Sequence, residues 1–150
     1  MTDTAAPTLS SRILGFVVDL LIVAGGNILL MGVPVLSGLL GGVYLAARDG
    51  VEVGPLRFRS VGKYVMGLDL VRVDGRPITL ETSLRRNWML AVGSLSVLFS
   101  GAPFLALMVS LAGTGLLLYE TYNVVTDGQG RRWGDRLAHT QVVQAGSGLL

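Results

Sequence analysis

The 150-residue chain has no cysteine, a single histidine and few charges, with only 15% of its residues Asp, Glu, Lys or Arg. An ordinary soluble domain carries about 25%. The missing cysteine excludes disulfide scaffolds, thiolate zinc sites and cysteine nucleophiles. His139 has no second histidine and no spaced carboxylate to join it, so it reads as a solvated or hydrogen-bonding side chain and no metal site is expected. No nucleophile–base pair and no nucleotide loop is legible, so neither an enzyme nor a cofactor is expected. Gly62-Lys63 fails as a phosphate loop, because Arg57 stands where the first glycine belongs and Tyr64 replaces the required hydroxyl residue. The net charge of +2 is too small to argue for nucleic acid.

What the chain has is apolar sequence, 51% of it, with 21 glycines distributed through the apolar runs. That is the composition of helices packed closely in a bilayer, and the length allows a single domain over 1–150. Charge is absent from residues 87–119 and reduced to Asp19 alone over 13–47. The first gap, 35 residues, would make a helix of roughly 52 Å against a hydrocarbon core of about 30 Å, so each gap is expected to hold two short helices. Gly32-Val33-Pro34 and Ser100-Gly101-Ala102-Pro103 supply the turns. The expected fold is therefore all-α, with four transmembrane helices (13–31, 34–47, 87–99 and 104–120) in two hairpins.

All twelve basic residues lie outside those turns. Four spans put them all on one side, so the expectation is a multi-pass plasma (inner) membrane protein with both termini cytoplasmic. Residues 1–11 are expected to be disordered, 48–86 to form a cytoplasmic connection and 121–150 a cytoplasmic tail. A cleaved signal peptide is not expected, since Asp3 and Asp19 replace a basic leader and interrupt the apolar stretch.

Within 48–86, Leu68–Val73, Asp74-Gly75 and Pro77–Leu80 read as a β-hairpin, and Thr79 as the cap of the next helix. Phe58 to Leu68 shows apolar residues at helical spacing with basic flanks, as an amphipathic helix at the membrane surface or an ordinary basic loop. In the tail, Trp133 reads as an interfacial anchor and Gln141-Val142-Val143 as a short extended run.

Three blocks carry a family resemblance: Ser11-Arg12 through Asp19, Gly62-Lys63 through Asn87, and Gly134-Asp135 through Val143. In this order, between these apolar segments, the sequence resembles the RDD family of integral membrane proteins, named for one arginine and two aspartates. Arg12, Asp19 and Asp135 match those positions. His139 and Gly134 depart from the pattern, which has a small residue at the first and often a histidine at the second. The resemblance implies a membrane protein of a family whose molecular function is unsettled, with transport suspected, and points to no particular ligand.

Asp19 would cost roughly 2.5–3.5 kcal/mol at a span's centre, so it should face protein or water rather than lipid. It reads as an ion- or proton-binding carboxylate, as a packing group bonded to Arg12, Asn27 or another helix, or as a subunit contact. Asp135 is expected to fold back on Arg12 above Asp19, with Lys63, Arg86 and Asn87 in support. Gly38 and Gly42 form a GxxxG pair, with Ser37 and Gly41 beside it, for helix packing within the chain or in a homo-oligomer. Two functions fit: transport of an ion or small solute through a polar site, or a non-transporting scaffold that binds other membrane proteins or anionic headgroups.

Overall fold

The computed structural model describes residues 7–146. Its elements in chain order are α1 (Leu9–Leu29), α2 (Pro34–Ala47), α3 (Val61–Val65), β1 (Leu68–Arg72), α4 (Leu80–Ala91), α5 (Pro103–Thr126), α6 (Trp133–Leu137) and β2 (Thr140–Gln144). Two 3₁₀ segments, Gly54–Leu56 and Val92–Phe99, complete it.

Local chemistry sets the helix ends. Thr8 accepts the Ser11 N–H at 3.2 Å and starts α1. Pro34 and Pro103 open α2 and α5, where the N–H they lack has no partner in any case. Thr79 caps α4 as expected, accepting the Thr82 N–H at 3.2 Å, while Thr82 accepts the Thr79 N–H at 3.4 Å. The expected disorder over 1–11 lies outside the described residues as far as residue 6, and residues 9–11 are already helical because Thr8 caps there.

α1 and α5 are long and apolar enough to cross a membrane. α2 matches its expected bounds at 14 residues, about 21 Å of helix. The third apolar stretch begins inside α4 and continues without a break into the 3₁₀ segment Val92–Phe99. Close backbone contact accompanies that tight winding: a Cβ on Gly113 of α5 would collide with Gly93, and one on Gly38 of α2 would lie 2.6 Å from Val97. Gly38 and Gly42 thus pack against the 3₁₀ segment, while Ser37 and Gly41 face α1, so both small-residue faces are used within the chain.

The long helices are apolar outside and polar inside. The buried residues of α1 are Gly15 and Asp19 and those of α5 are Gly113, Glu120 and Asn123, whereas Leu21, Phe104, Leu118 and Tyr122 are exposed. In water this arrangement would be costly; against lipid tails it is the favourable one.

The sheet differs from the expected hairpin. β1 pairs antiparallel with β2 from the tail, Leu70 opposite Val142, and not with residues 77–80. Asp74-Gly75 does turn, with Gly75 at φ +72, but Pro77 has no N–H for a ladder and the chain proceeds directly to the α4 cap. Leu68, Leu70 and Val142 bury together, with Met66 and Ile78 against them. Of the two readings of 58–68, surface helix or basic loop, the helix is reduced to α3: Phe58 has φ +40, outside helical geometry, and Lys63 turns inward instead of towards a membrane surface.

Candidate functional site

The charged residues of the bundle converge at the end where α1 begins and α5 finishes. Asp19 is 1% exposed. Its Oδ2 accepts from Arg48 Nη1 at 2.6 Å, and its Oδ1 accepts from the Tyr44 hydroxyl and the Gly62 N–H, each at 2.9 Å. Gly62 reaches it because α3 lies flat on α1 at Gly15, where a Cβ on Gly62 would collide with the Gly15 carbonyl. Arg48 also stacks over Phe16 with its guanidinium 5.5 Å from the ring centroid.

Beside this pair lies a second carboxylate, Asp49. It accepts from Lys63 Nζ, from Arg86 Nη1 at 2.6 Å and from Asn87 Nδ2 at 3.0 Å. The Arg86 Nε donates to Asp135 at 2.5 Å, so one guanidinium joins the first half of the chain to the tail. Asp135 further accepts from Arg12 Nη2 at 3.2 Å and from the Arg132 N–H at 3.1 Å. α6 can deliver it because Gly134 presses on the Arg86 carbonyl, where no side chain fits. Glu120 of α5 accepts the Gly134 N–H at 3.0 Å and faces Arg132.

Electrostatics follow from burial opposed by partners. Burial alone pushes the Asp49 carboxyl up, but Lys63, Arg86 and Arg48 outweigh it and hold the group well below the ordinary range. Asp135 behaves alike: burial raises it, and Arg86, Arg132 and Arg12 bring it below the ordinary carboxylate range. Burial pulls the Lys63 ammonium down to about 7, with Asp49 opposing the shift and the neighbouring Arg86 and Arg48 adding to it.

Of the residues expected at the site, Arg12, Asp19, Asp135, Lys63, Arg86 and Asn87 come into this one cluster. Of the partners weighed for Asp19, it is another helix that holds it: Asp19 pairs with Tyr44 of α2 and with Arg48 just beyond that helix, and not with Arg12 or Asn27, since Arg12 turns to Asp135 and to the Gly130 carbonyl. Asn27 lies two turns further along α1 and meets the Ser37 hydroxyl at 2.5 Å. Sequence reasoning missed Arg48, Asp49, Glu120 and Arg132. The available signal was position: Arg48-Asp49 and Glu120 are the first charges beyond the two apolar gaps. Trp133 opens α6 half-buried, and the His139 backbone, at φ +53, accepts the Val73 N–H through its carbonyl.

Two cavities touch the inward stripe of α1. The first, about 220 Å³, is reached by Asp19, Arg48, Lys63, Arg86, Glu120 and Arg132 and has apolar walls from α1 and α5. A second, about 440 Å³, is lined by Val23, Asn27, Ser37, Gly41, Ser94 and Ser96. At the second cavity Val23 packs on Gly41, 2.9 Å from where a Cβ on that glycine would lie. No group of His, Cys, Asp and Glu suited to a metal ion exists among the described residues.

No curated protein and no solved structure matches the chain. The model of the RDD family matches residues 6–139, ending at the residue before β2. That span takes in Arg12, Asp19 and Asp135 together with the basic residues that hold them, and the chain belongs to the RDD family, a family of membrane-associated proteins.

Proposed function

We propose that this protein carries an ion or a small polar solute across the membrane along the inward face of α1, with Asp19 as the group the solute must pass. α1 and α5 span, and α2 and the run α4 to Phe99 complete a four-span, multi-pass bundle in the plasma (inner) membrane. The buried cluster, both termini and the central segment then lie on the cytoplasmic side, where the basic residues collect. The observation that carries this reading is the pair of cavities on one stripe of α1, each reached by polar side chains. Asp19 lines one and Val23 the other; four residues apart, they are separated by about 6 Å of helix.

One observation favours a second reading. Asp19 is fully engaged by Arg48, Tyr44 and Gly62, as a purely structural carboxylate would be. On that reading the protein is a membrane scaffold whose basic surface meets partner proteins or anionic headgroups. Proteoliposome flux of monovalent cations, protons and small anions separates the two. Transport predicts flux above protein-free vesicles that Asp19→Asn abolishes; a folded protein with no flux for any of these probes supports the scaffold.

A further inference from the structure

The charged cavity has a composition that a small ion does not need. Its walls are Leu9, Ile13 and Phe16 on α1 and Leu117 and Val124 on α5. Each set spans eight residues of helix, about 10 Å along the axis. α1 packs on α2 and α3, and α5 on α4 and the 3₁₀ segment, so the cavity lies in the cleft left between α1 and α5. Leu9 and Ile13 continue from its wall onto the exposed, lipid-facing surface.

Charge at its floor is unbalanced. With Lys63 protonated, the buried cluster among the described residues holds five cations, Arg12, Arg48, Lys63, Arg86 and Arg132, against the carboxylates Asp19, Asp49, Glu120 and Asp135. All five cations line the cavity, whereas Asp49 and Asp135 lie behind them. A net positive charge held out of water is costly unless an anion completes it.

We propose that this cavity is a lipid site, taking the phosphate headgroup of an anionic phospholipid from the cytoplasmic leaflet with an acyl chain lying in the cleft between α1 and α5. The excess cation selects an anionic over a zwitterionic headgroup, and the apolar walls select a lipid over a free anion. The site does not depend on transport, because a scaffold with the same cavity would hold the same lipid.

The test uses the full chain in detergent below neutral pH, with native mass spectrometry counting bound phosphatidylglycerol, phosphatidylcholine of the same acyl chains, or inorganic phosphate. The expected result is one retained phosphatidylglycerol per chain, held about tenfold more tightly than phosphatidylcholine, with phosphate alone not retained. Val124→Trp, which fills the cleft, should weaken phosphatidylglycerol about tenfold, while Leu98→Trp on an exposed apolar surface should leave it unchanged. If circular dichroism shows Val124→Trp unfolded, Ile13→Trp fills the same cleft from α1 and is read in its place. Equal retention of the two lipids, saturation by phosphate alone, or undiminished phosphatidylglycerol binding by a folded cleft-filling variant overturns the proposal. These outcomes are independent of flux, so loss of the lipid site and loss of transport are told apart.

Discussion

Arg86 and Arg85 are neighbours with opposite situations. Arg85 makes an exposed pair with Glu81, whereas Arg86 is buried between Asp49 and Asp135. Removing one partner from a buried pair leaves an uncompensated charge, so Arg86→Met should cost about 3–5 kcal/mol, and Arg85→Met no more than about 1 kcal/mol. Unfolding titrations in mixed micelles measure both. The pH dependence follows from Asp49 and Asp135, whose carboxyls are held below the ordinary aspartate value of 3.8. As acid is added, the unfolded chain takes up protons at these positions before the folded one does. Their stabilisation is complete above that ordinary value and is lost as pH falls through the folded ones. The thermal midpoint should hold level down to about pH 4 and then drop, and Asp135→Asn should flatten the drop. Which residues form this cluster was partly legible. Arg12 and Asp135 could be joined through the family pattern, although 123 positions separate them. Arg48 could not, because a charge at the end of an apolar run reads equally well as a topology signal, and only packing shows it turned inward to Asp19.

Among the elements, the helices could be read and the strand pairing could not. Proline and glycine at the two breaks and Thr79 before α4 are local signals with local consequences. β1 offers an alternating strand followed by Asp-Gly, a pattern that fits a local hairpin as well as a distant partner. Burial decides it: pairing with β2 covers Leu68 and Leu70 with Val142, and β2 contains no proline, whereas Pro77 has no N–H to give a ladder. Because the native chain has no cysteine, the register can be tested cleanly. Val71 and Gln141 are paired across the strands, so the Val71→Cys/Gln141→Cys double variant should crosslink under mild oxidation. Crosslinking instead between cysteines at Val71 and Ile78 would restore the local hairpin and contradict the sheet.

At the scale of the whole molecule, apolar surface faces outward along α1 and α5 while charge collects at one end, and transport turns on whether a polar route links that end to the other. The proposed four-span topology predicts that Gly32→Cys and Gly101→Cys, in the two turns, react with an impermeant maleimide applied to intact cells, and that Glu52→Cys and Gly128→Cys react only after the membrane is opened. The same labelling on both sides at one position would remove the topology. The central claim is that Asp19 acts because it lines a cavity on the inward face of α1, and not only because it is a buried carboxylate. Asp49 is equally buried in the same cluster but lines neither cavity. The most direct measurement is therefore proteoliposome flux for wild type, Asp19→Asn and Asp49→Asn, each normalised to folded protein. The account predicts flux in wild type and Asp49→Asn and none in Asp19→Asn; equal flux in the two variants would contradict it.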